Sequence, residues 1–294
     1  MQQLTQRVVD LVDKALEGNG LEFEEMEYLY GVDPLSRDSY LIRWAAHQMS
    51  LAATDGKAEI HAQIGLNGSP CAKNCKFCSF AVCNGLVNKK VELSEDDVKY
   101  YCDEYVEAGA NLILMLSTAS YRFEKLLRMV EVARGVIGYD IPLLINTGDM
   151  TLEQALQLKA AGIVGAYHAV RMREGIDTSI PLETRLATIE NLQKAGLSIS
   201  TCVEPVGPEH TPHELAEASW RCMSYPSNSA GVGRRITVPG TQVDGRGQLS
   251  DLQASLLLAV YGLTTGFKPA LNCSVSSPLS ATSGGNLCWA EVGT

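Results

Sequence analysis

The sequence predicts an α/β protein built as a closed barrel of eight parallel strands that alternate with helices, the (β/α)8 architecture. Short apolar runs alternate with amphipathic helical patterns from residue 55 to residue 294. The runs number eight, which is the strand count of this barrel. Several helical patterns end at a glycine just before the next run, the usual stop for a helix. An open doubly wound sheet is the alternative, but such sheets seldom contain eight near-equal units.

The chain divides into a predicted helical extension, residues 1–54, packed on the barrel, and the barrel itself, residues 55–294. The extension repeats apolar residues at the helical period, including Val8, Leu11 and Val12. In order, the predicted barrel strands are EIHAQIGLN, NLILMLST, IPLLINTG, GIVGAYHAV, LSISTCVEPVG, RRITVPG, FKPALNC and NLCWAEVG.

Helical patterns connect these strands. Several begin at a serine or threonine that can cap the helix, with an acidic residue soon after, as at Ser94, Thr151 and Thr211. In order, the patterns are SEDDVKYYCDEYVEAGA, RFEKLLRMVEVARGV, TLEQALQLKAAG, LETRLATIENLQKAG, TPHELAEASWRCMS and LSDLQASLLLAVYGL. The alternation of strand and helix therefore continues along the whole barrel region.

Composition narrows the classes of function. The net charge of −10 argues against a nucleic-acid-binding protein, which usually carries a basic face. No apolar run is long enough to span a membrane, and the first residues lack an apolar signal core. Nine irregularly spaced cysteines argue against a secreted disulfide framework and favour metal or cluster chemistry. We therefore expect a cytoplasmic protein with no nucleic-acid or membrane partner.

Three cysteines crowd into the segment NGSPCAKNCKFCSF directly after the first predicted strand. Cys71, Cys75 and Cys78 should therefore lie at the C-terminal mouth of the barrel, where active sites of this fold are found. Three thiolates can hold three irons of a cubane cluster and leave the fourth iron open. A zinc site normally needs a fourth protein ligand, for which Cys83 is the only local candidate. A structural zinc site and an unligated reduced loop are the alternatives.

The motif CxxxCxxC, with Phe77 before its last cysteine, resembles the signature of radical S-adenosyl-L-methionine (SAM) enzymes. The resemblance implies a 4Fe–4S cluster on Cys71, Cys75 and Cys78 whose open iron is chelated by the amino and carboxylate groups of SAM. It also implies that Phe77 packs against the adenine. An electron from flavodoxin or ferredoxin would then cleave SAM to a 5′-deoxyadenosyl radical.

The resemblance extends over most of the chain. YHAVRMREGIDTSIPLETRLATIENLQKAGLSISTCVEPVGPEHT is similar to a region shared by biotin synthases, hydrogenase-maturation enzymes and methylornithine synthase. RRITVPGTQ resembles their sixth strand, and ATSGGNLCWAEVGT resembles the final strand of biotin synthases. These segments identify the subgroup of radical SAM enzymes that the chain resembles.

Three further cysteines, Cys202, Cys273 and Cys288, lie on the predicted fifth, seventh and eighth strands. Inward side chains of these strands can converge, so we expect an auxiliary iron–sulfur cluster inside the barrel; three unrelated core cysteines are the alternative. The better-known biotin synthases also use cysteines on the second and third strands, where this chain has none. The resemblance therefore suggests the variant biotin synthases of anaerobes, with a different ligand set.

The other cysteines have plainer interpretations. Cys102 and Cys222 lie in helical patterns, where cysteine is more often a buried small apolar residue than a ligand. Cys83 could be structural or a ligand, and a structural role is favoured.

Polar residues near the predicted strand ends are candidates for binding SAM. His168, Arg171 and Glu174 follow the fourth strand, where relatives bind SAM, and a charge pair there could hold its amino-acid part. Glu204 and Glu209 flank the fifth-strand turn, and Glu204 is the one assigned to SAM. A solvated rim of charges is the alternative interpretation.

Candidates for binding the substrate also lie at strand ends. Asn146, next to Thr147, ends the third strand, and Arg234 and Arg235 begin the sixth. Arg235 is assigned to a substrate carboxylate, with a surface ion pair as the alternative. Asn272, beside Cys273, is expected to line the barrel and hydrogen-bond a ureido ring, and Glu291 closes the eighth strand.

Together these features predict a biotin synthase that uses two clusters. The deoxyadenosyl radical would abstract hydrogen from dethiobiotin, and a sulfide of the auxiliary cluster would capture the carbon radical. Two such events would close the thiolane ring. A radical SAM mutase or a metallocofactor-maturation enzyme would not need Cys202, Cys273 and Cys288. A zinc-binding structural protein is the non-enzymatic alternative, and a homodimer is left open as the assembly.

Overall fold

The computed structural model describes residues 3–273 and 277–293. Its helices are α1 (Gln6–Leu16), α2 (Phe23–Tyr30), α3 (Arg37–Thr54), α4 (Glu95–Glu107), α5 (Phe123–Ile137), α6 (Leu152–Ala160), α7 (Leu182–Lys194), α8 (Pro212–Met223), α9 (Asp251–Thr265) and α10 (Pro278–Ala281). Its strands are β1 (Glu59–Gly65), β2 (Asn67–Gly68), β3 (Val91–Glu92), β4 (Leu112–Leu116), β5 (Leu143–Asn146), β6 (Gly165–Tyr167), β7 (Ser198–Ser200), β8 (Val203–Val206), β9 (Ser229–Arg234), β10 (Leu271–Cys273) and β11 (Leu287–Gly293).

Eight strands close into a parallel barrel, which confirms the predicted fold. The ring runs β1, β4, β5, β6, β7, β9, β10 and β11, and β11 pairs back with β1. The predicted fifth strand is broken at Thr201 and Cys202, so that β7 pairs with β9 at its start and β8 pairs with β9 further along. The break places Cys202 at an irregular point of the barrel wall.

Local sequence explains why the elements begin and end where they do. Capping boxes start the helices at Ser94, Thr151, Thr211 and Ser250, where each side chain accepts a hydrogen bond from a backbone N–H three residues on. The sequence LILML of β4 is apolar throughout because strands of a parallel barrel are buried on both faces.

The three N-terminal helices pack against the outside of the barrel. Helix α3 packs on α9, and α2 packs on α8 and α9. Their shared core includes Val8, Met26 and Ile42, and the Tyr30 hydroxyl hydrogen-bonds to Ser219 Oγ at 2.7 Å. The boundary between extension and barrel at residues 54 and 55 stays a prediction. Among the helices of the described residues, none has the length and apolar character that a bilayer crossing requires.

The chain between β2 and β3 crosses the C-terminal end of the barrel. The pairing of Asn67 with Glu92 closes this excursion at its base. It contains the segment called here the cysteine loop, residues 71–81, which therefore lies at the mouth predicted for it.

Candidate active site

The cysteine loop places its three thiols on one wall of a cavity at the barrel mouth, the mouth cavity. Its volume is about 420 Å³, and Cys71, Cys75 and Cys78 all line it. The loop is closed by the Cys71 N–H, which donates to the Phe80 carbonyl at 2.7 Å, and by the Cys78 N–H, which donates to the Cys75 carbonyl at 3.0 Å. Three half-buried thiols therefore share one cavity.

The arrangement of these thiols, and not their acidity, suits an iron–sulfur cluster. Burial raises the pKa of the Cys75 thiol to about 11 and also raises that of Cys78, while the Arg171 guanidinium lowers both pKa values in part. Within the described residues, no three His, Cys, Asp or Glu side chains converge on the position of a single metal ion. A cubane cluster does not require three side chains to converge on one metal ion, because each thiolate binds its own iron.

The predicted SAM-binding residues form a charged wall beside the thiols. Arg171 Nη1 lies 3.2 Å from Glu204 Oε1. Burial alone would lower the pKa of Arg171, but Glu204, Tyr167 and Glu174 raise it above its ordinary value. Glu174 is already bonded, because it accepts hydrogen bonds from the Arg171 N–H at 2.9 Å and from Arg185 Nε at 3.3 Å. Glu174 lines neither cavity, whereas Arg171 lines the mouth cavity and Glu204 lines the inner cavity described below, so these two remain the candidates for binding SAM.

His168 is buried at the edge of the mouth cavity. Its Nε2 lies 3.3 Å from Arg185 Nη1 and 3.6 Å from Asp149 Oδ1. Burial, together with Arg185 and Arg171, holds the pKa of His168 well below its ordinary value. The imidazole is therefore neutral at physiological pH and can accept or donate a hydrogen bond.

The residues of the mouth cavity that sequence reasoning missed include Lys73, Phe80, Asp149 and Arg185. Asp149 pairs with Arg185 at 3.2 Å and lies 3.9 Å from Lys73 Nζ, and its buried Oδ2 has no hydrogen-bond partner among the described residues. Phe80 is the aromatic side chain of the loop that lines the cavity. The contact of half-buried Phe77 with adenine stays a prediction.

A second cavity, the inner cavity, adjoins the first on the side of the barrel interior. Its volume is about 260 Å³, and it shares Gln63, Asn146 and Glu291 with the mouth cavity. We call these three residues the polar collar. They stand between the thiols of the cysteine loop and two further cysteines, so one elongated molecule could contact both sets.

Cys202 and Cys273 both line the inner cavity. The neighbouring Cys273 thiol, together with burial, raises the pKa of Cys202 well above its ordinary value. Trp289 Nε1 donates to Cys273 Sγ at 2.8 Å, and Tyr167 lines the same cavity. The structure therefore brings together two of the three cysteines predicted to form the auxiliary site.

Two glycines of β9 have different roles. A Cβ on Gly231, whose φ is +152°, would lie 2.7 Å from the Cys273 carbonyl oxygen, so glycine there permits the close approach of β10. Gly233 lines the inner cavity, and a Cβ on it would lie 3.5 Å from Cys202 Sγ and 3.2 Å from the Glu204 Cβ. Glycine at position 233 therefore leaves this part of the cavity wall bare, which keeps open space that a group bound by Cys202 and Cys273 would need.

The expectation that Cys288 joins this pair is wrong. Cys288 is exposed and stands opposite Ile60, which is itself 52% exposed, on the outer face of the barrel. Its neighbour Trp289 takes the inward position, because successive strand side chains point to opposite faces. Only two cysteines of the described residues therefore line the inner cavity.

Two predicted substrate contacts are also corrected. Asn272 is buried but points outward, with Nδ2 donating to the Leu258 carbonyl of α9 at 3.4 Å, because Cys273 occupies the inward position. Arg235 is buried in an ion pair with Glu209, and its Nη2 donates to the Gly247 carbonyl at 3.0 Å. Both side chains are engaged away from the cavities.

The remaining predicted residues fall into two groups. Asn146 and Glu291 belong to the polar collar, Thr147 lines the mouth cavity, and Arg234 lines the inner cavity while pairing with Asp251. Cys102 and Cys222 are buried and Cys83 is exposed. The nine cysteines, all within the described residues, form no disulfide.

No family model matches the sequence. A biotin synthase from Hydrogenobaculum sp. is 27% identical over 220 residues, which are 70% of this chain and 64% of that protein. A biotin synthase from Aquifex aeolicus is 22% identical over 273 residues, 90% of this chain and 81% of that protein. The first of these alignments spans a little less than two thirds of its relative.

Solved structures share the fold. A methylornithine synthase superposes with a TM-score of 0.83 over 95% of this chain and 85% of that chain, at 16% identity. An FeFe-hydrogenase maturase from Carboxydothermus hydrogenoformans superposes with a TM-score of 0.79 over 98% of this chain and 71% of that chain, at 17% identity. Sequence and fold together confirm the likeness to radical SAM biotin synthases, and that family implies a 4Fe–4S cluster and SAM.

Proposed function

We propose that this chain, a radical SAM biotin synthase-like protein, is a biotin synthase that inserts sulfur into dethiobiotin. One observation carries the proposal. The cavity lined by Cys71, Cys75 and Cys78 adjoins the cavity lined by Cys202 and Cys273, and Gln63, Asn146 and Glu291 line both. A substrate in the shared region would lie within reach of both sets of thiols, as a reaction that needs a radical and a sulfur atom requires.

The mouth cavity would hold the first cluster and SAM. When bound, these groups supply the 5′-deoxyadenosyl radical that abstracts hydrogen. The ion pair of Arg171 and Glu204 offers one cation and one anion, which match the carboxylate and amino groups of SAM. Phe80 supplies an apolar wall, and Asp149 Oδ2 supplies an acceptor that accepts no hydrogen bond among the described residues, with Lys73 Nζ 3.9 Å away.

The inner cavity would hold the auxiliary iron–sulfur cluster as sulfur source. Cys202 and Cys273 would be two of its ligands, and the bare wall at Gly233 would accommodate it. The predicted second and third strands contain no cysteine, so this ligand set differs from that of the better-known biotin synthases. A variant of the kind found in anaerobes remains our assignment, without Cys288.

The polar collar would bind the ureido ring. A cyclic urea presents two N–H donors and one carbonyl acceptor. The Glu291 carboxylate accepts hydrogen bonds, whereas the amides of Gln63 and Asn146 can donate to a carbonyl. Gln63 and Glu291 are direct cross-strand partners, so their side chains start from neighbouring points of the wall. The polar collar would therefore make the hydrogen bonds to the ureido ring that the sequence analysis assigned to Asn272.

The proposal includes a cytoplasmic location, because a chain with nine reduced cysteines suits a reducing compartment. It also includes a one-electron donor, flavodoxin or ferredoxin, which the reaction requires. Nucleic acid is not a proposed partner, since the net charge is −10.

A second candidate is a radical mutase acting on an amino acid. Its support is Glu291: no cation of the described residues lies within ion-pair distance of this carboxylate, which could therefore bind a substrate ammonium group. The two candidates differ in the substrate group that reaches the collar.

Anaerobic turnover with SAM and reductant separates them. One reaction contains dethiobiotin and the other a mixture of the standard amino acids, with all products identified by mass. We expect biotin and deoxyadenosine in the first. Deoxyadenosine that forms only with an amino acid, together with an isomer of that amino acid, would replace our proposal by the mutase. A colourless zinc protein that cleaves no SAM would exclude both.

A further inference from the structure

We propose that the surface formed by residues 82–91, next to the cysteine loop, is the docking site for a small acidic one-electron carrier protein. We call this surface the lysine flap. The inference rests on the proposed function, because it assumes that the thiols of the cysteine loop hold a group that must be reduced. It adds the place of electron entry and the chemistry of the partner.

The lysine flap encloses a surface groove directly behind the cysteine loop. The groove has a volume of about 450 Å³ and is lined mainly by Leu86, Val87, Val91 and the ring of Phe80. Phe80 also lines the mouth cavity, on the other side of the loop. One aromatic residue therefore separates a surface groove from the cavity that contains the three thiols.

The lysine flap exposes apolar side chains to solvent, and this exposure does not stabilise the isolated chain. Val82, Leu86 and Val91 are 55%, 41% and 52% exposed. They come from one short excursion whose base is fixed by the pairing of β2 with β3. Apolar residues clustered beside a groove are typical of a surface that another protein covers.

The charge of this region is opposite to that of the rest of the molecule. Residues 71–93 contain four lysines and one glutamate, in a chain whose net charge is −10. Lys89 and Lys90 are both exposed, and no carboxylate of the described part of the chain pairs with either. Two free lysines at the rim of an apolar groove would attract an acidic partner and orient it on the groove.

An acidic flavin or iron–sulfur carrier protein fits this surface. At each encounter the carrier would be oxidised by one electron and the group held by the thiolates would be reduced by one electron, so that no atom is transferred. A second copy of the chain is the other occupant to test, because its overall surface is also acidic.

The test is the affinity of purified flavodoxin for the anaerobically purified chain, measured by calorimetry at low and at physiological salt. The test variant carries Lys89→Glu and Lys90→Glu. The matched control carries Lys57→Glu and Lys194→Glu, two exposed lysines near the opposite ends of the strands, so that the net charge changes equally. A milder variant, Lys89→Gln with Lys90→Gln, is used if the charge reversal unfolds the chain.

We expect the test variant to weaken flavodoxin binding at least about tenfold at low salt, with a smaller loss at high salt. The control should bind within about twofold of the unaltered chain. SAM cleavage driven by dithionite, which needs no docking, reports separately on the cluster. If the unaltered chain cleaves no SAM with dithionite, this result counts against the proposed function. The binding measurement still tests the lysine flap on its own.

Three results would overturn the inference. The first is equal affinity of the test variant and the unaltered chain. The second is an equal loss in the control, which would indicate a long-range charge effect. The third is self-association that the test variant abolishes while flavodoxin affinity is unchanged, which would make a second copy the occupant.

Discussion

The mouth cavity and the inner cavity hold their cysteines in opposite ways. Cys71, Cys75 and Cys78 lie half-buried on a loop that follows the first barrel strand. Cys202 and Cys273 lie in the barrel wall, on either side of a strand with two glycines. A loop leaves room for a cosubstrate to reach a metal, whereas a strand fixes a sulfur atom relative to a substrate. On the proposed function, the mouth cavity would exchange its ligand and the inner cavity would hold its sulfur atoms in position.

The largest expected effect tests the mouth cavity. Cys75→Ala should abolish reductive SAM cleavage, because the cubane would lose the thiolate of one iron, and bound iron should fall by about four atoms. Exposed Cys83, changed to Ala, is the matched control and should retain both. Deoxyadenosine is measured by chromatography and iron by colorimetry. Unchanged deoxyadenosine formation in the Cys75 variant would refute the cluster assignment.

The second prediction separates the two cavities. Cys202→Ala should stop sulfur transfer while SAM cleavage continues, so that deoxyadenosine forms without biotin. Cys288→Ala is the control, because this thiol lies on the outer face of the barrel. It should leave both products and the iron content unchanged. If the Cys288 variant alone lost biotin formation, the division of roles inferred from the barrel faces would be wrong.

The third prediction concerns the bare wall of the inner cavity. In Gly233→Val, a side chain would enter the space 3.5 Å from Cys202 Sγ. We expect roughly tenfold less biotin and less bound iron, with SAM cleavage retained, since overpacking displaces what the space holds. Val232→Ala on the same strand, whose side chain faces the outer core, serves as the control. Equal losses in both variants would point to general destabilisation of β9.

The smallest expected effect compares the histidines at the two ends of the barrel. Burial lowers the pKa of both His168 and His61, but Glu59 partly opposes this at His61. The unfolded chain takes up a proton on each histidine as the pH falls through about 6.5, and the folded chain does not. The folded state therefore loses stability as the pH falls below that value.

His168→Gln should flatten this loss more than His61→Gln. The contribution of one histidine is at most about 1.4 kcal/mol per pH unit. The measurement is the free energy of unfolding in urea, under anaerobic conditions, at about pH 7.5 and about pH 5.5. A steeper pH dependence in the His168 variant, or an equal flattening in both variants, would show that the ion pairs around His168 do not act as inferred.

The sequence was sufficient for the barrel and for the cysteine loop because both depend on local patterns. The sequence did not show whether a given strand residue points into the barrel or away from it. NLCWAEVG and FKPALNC carry apolar residues on both faces, as buried barrel strands do, so their alternation does not show which face is inward. A shift of one residue exchanges Cys288 for Trp289. The same ambiguity explains why Asn272, and not only Cys273, was expected to point into the barrel.

Other residues were overlooked or given the wrong role because their partners are distant in the sequence. Arg235 is held by Glu209, and Asp149 by Arg185, contacts that only the closed barrel creates. Asp149 did carry a signal, since it is a charged residue just beyond the C-terminal end of a barrel strand, where active-site residues of this fold lie. Phe80, two residues after Cys78, also carried one.

Hydrogen bonds to other parts of the chain help to hold the cysteine loop in shape. Asn84 Nδ2 donates to the Cys78 carbonyl at 2.8 Å, and the Lys76 N–H donates to the Asp177 carbonyl at 2.8 Å. In small metal-dependent domains, the free energy of metal binding is also the free energy of folding, so that chelators unfold them. Because these hydrogen bonds need no metal, we expect removal of iron to leave a folded chain. The same molecule should then bind iron again after it has been stripped.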